Sequence, residues 1–204
     1  ITASEVGIMT TLTDLARNAA PRNVAADIGR LFGEAIAKKQ DQDLIALFDG
    51  FSSAVGDGTS AINAAAIFNA LSTLRENALN INECSVVLHP KIAFDLKANL
   101  TNTFANANAN DLANEALRSG FVGSLAGMNV FETSNMSNTG NAGDYKGGAF
   151  HRDAIALAEM QGLKIETQRD ASLRADEIVA TAVYGVGEIH DSYGVELHHD
   201  SSIQ

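Results

Sequence analysis

The side chains best suited to chemistry crowd the end of this 204-residue chain. They are His190, Asp191, His198, His199 and Asp200. Imidazole and carboxylate groups bind Zn²⁺ and other transition metals, and a hairpin would bring His190 close to His198. Adjacent His198 and His199, however, point to opposite sides of a strand, so at most one of them can join such a cluster. Solvated side chains near a terminus are the commoner explanation, and a small metal-dependent α/β enzyme stays an alternative.

Two further pairs of residues have the right types for catalysis. Cys84 and His89 resemble a thiol nucleophile and its base, but Cys84 lies at the edge of an apolar strand, where a small buried hydrophobic residue is expected. Asp41 and Asp43 are two positions apart on a predicted helix, so they do not face each other and should be solvated. No nucleotide-binding or hydrolase motif occurs. The sequence therefore predicts a protein that is not an enzyme, with no catalytic residue, cofactor or metal site.

The composition narrows the class of protein. The net charge is −11, which argues against a surface that binds nucleic acid, because that affinity depends mainly on Lys and Arg. No apolar run approaches the roughly 18 residues that cross a bilayer, so no membrane association is expected. Cys84 is the single cysteine, which leaves packing and assembly to provide stability. The chain begins at Ile1 without a leader, and we expect a part of the protein upstream of it.

The longest element that the sequence predicts is one amphipathic helix over residues 21–49. Its apolar stripe consists of Val24, Ile28, Leu31 and Ala35, widened by Phe32 and Ile36. Its far side carries charges of alternating sign at Asp27, Arg30, Glu34 and Lys38. Such spacing gives weak mutual support and solubility. A helix of roughly 27 residues is about 40 Å long, which suggests a scaffold element.

Shorter helices and strands surround this helix in the prediction. In the first half of the chain we expect a strand within 3–13, a Gly-rich break at 50–60, and a helix from the N-cap Ser60 to about residue 80. A strand at 85–88 and a helix that begins at Pro90 follow. Expected in the second half are a polar loop at 101–110, a short helix at 111–118, bent strands within 121–133, a second polar loop at 134–148, a core segment at 149–158, and strands at 163–169, 177–189 and 195–198. The predicted fold class is α+β.

Four of these segments, taken in order, resemble the Hong Kong 97-type major capsid protein of tailed bacteriophages. They are the helical run 27–48, the Val-Val-Leu-His-Pro strand end at 86–90, the Gly-x-x-x-Gly-Met-x-Val segment at 123–130, and the run 175–187 before a final strand. The resemblance covers nearly the whole chain. It implies a virion protein that assembles in the host cytoplasm into an icosahedral shell around double-stranded DNA.

The resemblance also implies a division of the chain and a set of contacts. A peripheral domain would comprise residues 1–58, with the long helix, and 160–189. An axial domain would comprise residues 59–159 and the final stretch 190–204. The implied subunit contacts are the charged helix face at Asp27, Arg30, Glu34 and Lys38 and the loop residues Asn106, Asn108, Asn110, Asn138 and Asn141. The N-terminal arm and extended loop of the family are missing here.

The implied partners are copies of the chain itself, in pentamers and hexamers, with accessory or cement proteins as further candidates. DNA would be held by enclosure rather than by specific binding. An encapsulin-like bacterial compartment with the same fold is one alternative. A tail or scaffold adaptor that does not tile a shell is another.

Overall fold

The computed structural model describes residues 1–19, 23–104, 123–136 and 144–203. Its helices are α1 (Asp14–Ala19), α2 (Val24–Ala46), α3 (Ala64–Glu76) and α4 (Pro90–Phe104). Its strands are β1 (Ser4–Thr13), β2 (Ala54–Val55), β3 (Cys84–Leu88), β4 (Ser124–Leu125), β5 (Met128–Glu132), β6 (Asp144–His151), β7 (Ile155–Asp170), β8 (Ala175–Glu188) and β9 (Gly194–Asp200). Short 3₁₀ turns occupy Leu47–Gly50, Ile81–Glu83 and Asp191–Tyr193. The mixture of helices and strands agrees with the predicted fold class.

Contacts between residues divide the chain into two compact units. The first unit consists of Ile1–Asp43 and Leu157–Gly187, and the second consists of Leu44–Ala156 and Glu188–Gln204. Residues 44–58 thus pack with the second unit. The assignment of a peripheral and an axial domain concerns an assembled shell and stays a prediction.

In the first unit, three strands of the described chain form a sheet in the order β1-β8-β7. β1 and β8 are antiparallel, with Ser4 opposite Tyr184 and Thr13 opposite Ala175. Alternate side chains of these two strands pack with Phe32 of α2 in one apolar cluster. Its buried members are Leu12, Phe32, Ile36, Ile178, Ala180, Ala182 and Tyr184. The long helix therefore covers one face of a small sheet.

A long helix forms as predicted, but it is shorter than predicted and its buried stripe is centred on different residues. It begins at Val24, where the Asn23 side chain accepts a hydrogen bond from the Ala26 amide at 3.4 Å, and it gives way to a 3₁₀ turn after Ala46. Its 23 residues span about 34 Å. Leu31 is 52% exposed, because the buried stripe is centred on Phe32 and Ile36. Helix α1, which precedes it, was not predicted.

In the second unit, six strands of the described chain form a mixed sheet in the order β2-β9-β6-β3-β5-β4. Helices α3 and α4 contribute Ile67, Leu74 and Leu96 to the main core, which also takes alternate residues of the central strands. A second cluster contains Phe48, Phe51, Met136 and Ala154. The sheet of this unit therefore contributes to two apolar clusters.

Several predicted boundaries in this unit are wrong for local reasons. Helix α3 begins at Ala64, because the Asn63 side chain, rather than Ser60, accepts the Ala66 amide at 2.9 Å. Pro90 does begin α4, but the helix continues to Phe104, so the predicted loop at 101–110 is helical over its first four residues. Residues 105–110 and the predicted helix at 111–118 lie outside the described residues.

The predicted polar loop at 134–148 is wrong at its end, because residues 144–148 belong to strand β6. A Cβ at Gly147 would meet the Val87 carbonyl oxygen, and a Cβ at Gly148 would meet the Phe48 ring at 2.8 Å. These glycines mark the close approach of neighbouring groups to a strand rather than a turn. Strand β7 is also longer than the predicted 163–169.

Candidate functional site

The hairpin that would bring His190 to His198 does not form. Strand β9 pairs with β6 and β2 in the second sheet and not with β8, which belongs to the first sheet. The His190 ring lies instead 4.7 Å from the ring of Tyr193 in the following turn. Within the described ranges, no group of three or more His, Cys, Asp and Glu side chains is placed to hold a metal ion.

The neighbouring histidines of β9 have separate partners. His198 Nε2 lies 2.7 Å from Asp144 Oδ1 on β6, and His199 Nδ1 lies 3.3 Å from the Ser60 carbonyl oxygen. His199 is only 4% exposed, so the prediction of a solvated terminal side chain is wrong for this residue. Burial lowers the pKa of His199 below its ordinary 6.5, and the hydrogen bond with Ser60 opposes that change.

Cys84 and His89 do not form a nucleophile and base. Cys84 begins β3 and His89 follows the end of that strand, so about five residues of extended chain, or some 16 Å, separate them. Cys84 is fully buried, as predicted, and burial raises the pKa of its thiol, with a smaller contribution from Glu83. The His89 ring stacks on Tyr145, with 3.6 Å between ring centroids. Both residues therefore serve packing.

Asp43 is held rather than solvated, which corrects the prediction for this residue. Its carboxylate accepts hydrogen bonds from the Tyr184 hydroxyl at 2.7 Å and from Lys39 Nζ at 2.5 Å. Burial acts to raise the pKa of Asp43, but these two hydrogen bonds outweigh it and lower that pKa. Burial, and then the same contact, raise the pKa of Tyr184 to about 12. Asp43 thus ties α2 to β8 within the first unit.

The predicted contact residues of α2 lie on its exposed side. Asp27, Arg30, Glu34 and Lys38 are all exposed, and Arg30 and Glu34 form an ion pair at 2.6 Å. This surface is available to another molecule, and its use stays a prediction. The remaining predicted contact residues lie outside the described residues: Asn106, Asn108, Asn110, Asn138 and Asn141.

Sequence reasoning missed a ring of charged residues in the first unit. Arg169 makes two hydrogen bonds to Asp14, at 2.8 and 2.7 Å, and one to Asp176 at 3.2 Å. Arg17 contacts the same two carboxylates at 3.0 and 2.6 Å. Arg169 follows Asp14 by 155 positions, so only the pairing of β8 with both β1 and β7 could have indicated this ring.

The described side chains with catalytic types are thus engaged in packing, strand pairing and ion pairs. None of the helices in the described stretches combines the length and apolar character needed to cross a lipid bilayer. The sequence profile of the family described as "Phage capsid protein" matches residues 1–195, which is almost the entire chain.

The chain belongs to the phage capsid protein family. It is a structural protein of a bacteriophage capsid, and the resemblance to Hong Kong 97-type major capsid proteins is confirmed. None of the curated proteins compared with the capsid protein matches it.

Solved structures share the fold of this capsid protein. A chain from Mycobacterium phage Che8 is 27% identical, with a TM-score of 0.78 over 95% of this chain and 70% of that chain. The capsid of cyanophage P-SCSP1u gives a TM-score of 0.78 at 16% identity over 97% and 72% of the two chains. The SrpI encapsulin of Synechococcus elongatus gives 0.71 at 13% identity over 99% and 75%. The last two similarities concern the fold alone.

Proposed function

We propose that this capsid protein assembles with copies of itself, as pentamers and hexamers, into a closed icosahedral shell that encloses double-stranded DNA. The observation that carries the proposal is the agreement in fold with a cyanophage capsid over 97% of the chain. A shell subunit acts through repeated, shape-specific contacts, and a stable interface buries about 1,600 Å². A net charge of −11 suits enclosure of DNA without tight binding.

In this proposal the two units have different places in the shell. The first unit, with most of α2, is the peripheral part, and the second unit is the axial part that meets its copies at the centre of each capsomer. The stretches that contain Asn106 to Asn110 and Asn138 to Asn141 supply contacts there. Assembly takes place in the host cytoplasm, and accessory or cement proteins are further partners.

Electron microscopy of the purified protein, combined with analytical ultracentrifugation, tests the proposal. We expect closed shells or rings of five and six subunits. A species that stays monomeric at high concentration would contradict the proposal. A defined small ring or tube that never closes would favour a tail or scaffold adaptor instead.

The contact role of the α2 face has its own test. Exchanging the charges in the double variant Arg30→Glu/Glu34→Arg keeps the ion pair within the helix but reverses both surface charges. We expect normal folding by circular dichroism and a strong loss of assembly. The matched control exchanges Lys164 and Glu166 of β7, which form a similar exposed pair at 2.7 Å. Equal assembly of both variants, or equal loss, would contradict a specific role of the α2 face.

An encapsulin-like compartment is the second candidate function, because the SrpI encapsulin shares the fold over 99% of this chain. The contents of particles purified from cells distinguish the two functions. Nuclease-resistant DNA inside the particles supports a phage head. An enzyme enclosed in stoichiometric amounts, without DNA, supports a compartment.

A further inference from the structure

Residues 53–60, which we name the β2 segment, lie along strand β9 in the second unit. β2 pairs with β9 in parallel, with Ala54 opposite Glu196. Beyond β2, the Gly58 amide donates to the His198 carbonyl oxygen at 3.1 Å, and the Asp200 amide donates to the Ser60 carbonyl oxygen at 3.2 Å. The segment is therefore fastened to β9 mainly by backbone hydrogen bonds at its two ends.

Two glycines allow the β2 segment to pack directly against the histidines of β9. Gly56 has a φ of +93° and Gly58 a φ of +72°, which favour glycine. A Cβ at Gly56 would collide with the His198 carbonyl oxygen and lie 2.7 Å from the His199 ring. A Cβ at Gly58 would lie 2.7 Å from His198 Nε2 and 2.8 Å from Asp144 Oδ1. Any change at these rings therefore acts directly on the segment.

The hydrogen bond at His199 fixes where its proton lies. A carbonyl oxygen only accepts, so the contact with Ser60 requires the hydrogen on Nδ1 and leaves Nε2 as a bare acceptor. His199 Nε2 is buried and has no hydrogen-bond partner among the residues that the structure describes. A second proton on this ring would place a charge in a site where the described residues offer Nε2 no acceptor.

In the described part of the chain, charged and titratable groups surround this ring on several elements, and His89 stacks on one of them, Tyr145. Asp57 lies in the β2 segment, Tyr145 is the cross-strand partner of His199 on β6, and His198 adjoins it on β9. Asp95 of α4 accepts a hydrogen bond from the amide of Ser202, which follows β9, at 2.8 Å. His198 has its own set of neighbours: Asp144, and the Lys146 and Glu196 pair at 2.9 Å. Among the described residues, Asp57 is the carboxylate whose charge acts to raise the pKa of His199.

We propose that the β2 segment is an acid-sensitive latch: it is closed on β9 while His199 is neutral and opens when His199 takes up a second proton. The inference concerns one subunit and does not depend on shell assembly.

The direction of the pH dependence follows from burial. Burial lowers the pKa of His199 in the closed state, whereas in the open state the ring is solvated and its pKa is near the ordinary 6.5. The closed state thus binds fewer protons, and its stability is lost as the pH falls below about 6.5. The opening equilibrium constant rises by at most about ten-fold per pH unit in that range.

Hydrogen exchange of the full chain, read by mass spectrometry and corrected for the intrinsic pH dependence of amide exchange, tests the latch. Between pH 7.5 and 5.5 we expect peptides that contain Gly58 and Asp200 to lose protection severalfold, while peptides of β3 keep it. The variant His199→Asn keeps a donor for Ser60 but does not titrate, so its protection should not change with pH. The control His190→Asn, at an exposed histidine, should behave as the wild type. Unchanged protection in the wild type, or acid loss in His199→Asn, would overturn the proposal.

A second variant covers the case in which His199→Asn does not fold. Asp57→Asn keeps the oxygen that accepts from the Thr59 amide at 3.1 Å but removes the charge that favours protonated His199 in the closed state. In the closed state of this variant, His199 should bind a second proton less readily than it does in the wild type. Acid loss of protection equal to or larger than that of the wild type supports the latch, and a smaller loss contradicts it.

Discussion

The two units of the chain are stabilised in different ways. In the first unit, one helix covers one face of a sheet, the apolar cluster is small, and strand β7 is exposed along nearly its whole length. In the second unit, helices α3 and α4 close a larger core, and polar groups such as Asp95 and His199 are buried with it. The same chemical change should therefore cost more in the second unit, where no neighbour can relax toward solvent.

The largest effect is expected in the core of the second unit. Leu74 on α3 is completely buried, so Leu74→Ala should lower the free energy of unfolding by about 2–5 kcal/mol, through lost apolar contact and a cavity. Urea denaturation of unassembled protein measures this loss. Phe68→Ala on the same helix is the control, because Phe68 is 53% exposed and its removal should cost much less. Similar losses for the two variants would contradict a closed core.

A matched pair of isoleucines compares the units directly. Ile67 lies in the core of the second unit and Ile36 in the cluster of the first. Each change to Val removes one methylene group, which costs about 0.5–1.5 kcal/mol. We expect Ile67→Val near the upper end of that range and Ile36→Val near the lower end, as measured by urea denaturation. The reverse order would show that the first unit packs as tightly as the second.

The sequence predicted the elements whose signals are local. The apolar spacing in α2 indicated a long helix, Pro90 marked the start of α4, and the β-branched run after residue 177 indicated β8. The prediction of the buried face of α2 was less accurate. Leu31 and Phe32 are adjacent apolar residues, and only packing against the sheet determines which of them is buried.

Features that depend on strand register were not predicted. Gly147 and Gly148 signal a loop by composition, yet they lie in β6, where Val87 and Phe48 approach the backbone and leave no room for a side chain. Similarly, the burial of His199 requires the β2 segment to lie on β9. The spacing of residues within one segment does not indicate which distant segment that segment pairs with.

The contact between Tyr184 and Asp43 sharpens the comparison, because it engages a tyrosine that is buried in the apolar cluster of the first unit. Tyr184→Phe removes this hydrogen bond and should cost about 1 kcal/mol at pH 7. The pKa of Tyr184 is raised from 10 to about 12, so the folded state holds the proton more tightly. This contribution is complete below pH 10 and lost as the pH rises toward 12.

Denaturation of wild type and Tyr184→Phe between pH 7 and 11 measures this contribution. The difference in stability should shrink above pH 10. Tyr193→Phe in the second unit is the control, because the Tyr193 ring lies beside the rings of His151 and His190. A difference that stays constant up to pH 11 would show that the hydrogen bond with Asp43 does not hold the proton.

The smallest effect is expected for the charged ring of the first unit. Arg169 is 46% exposed, and water and salt screen its contacts with Asp14 and Asp176. Arg169→Gln should therefore destabilise the protein less than Tyr184→Phe, and 1 M NaCl should reduce the loss further. The hydrogen bond from Arg169 lowers the pKa of Asp14 below its ordinary 3.8, so this stabilisation is present above that pH and lost as the pH falls below it. Thermal unfolding of both proteins at pH 7 and pH 3 should show a larger difference at pH 7 than at pH 3. A loss as large as that of Leu74→Ala, insensitive to salt, would mean that ion pairs stabilise the first unit as strongly as the closed core stabilises the second.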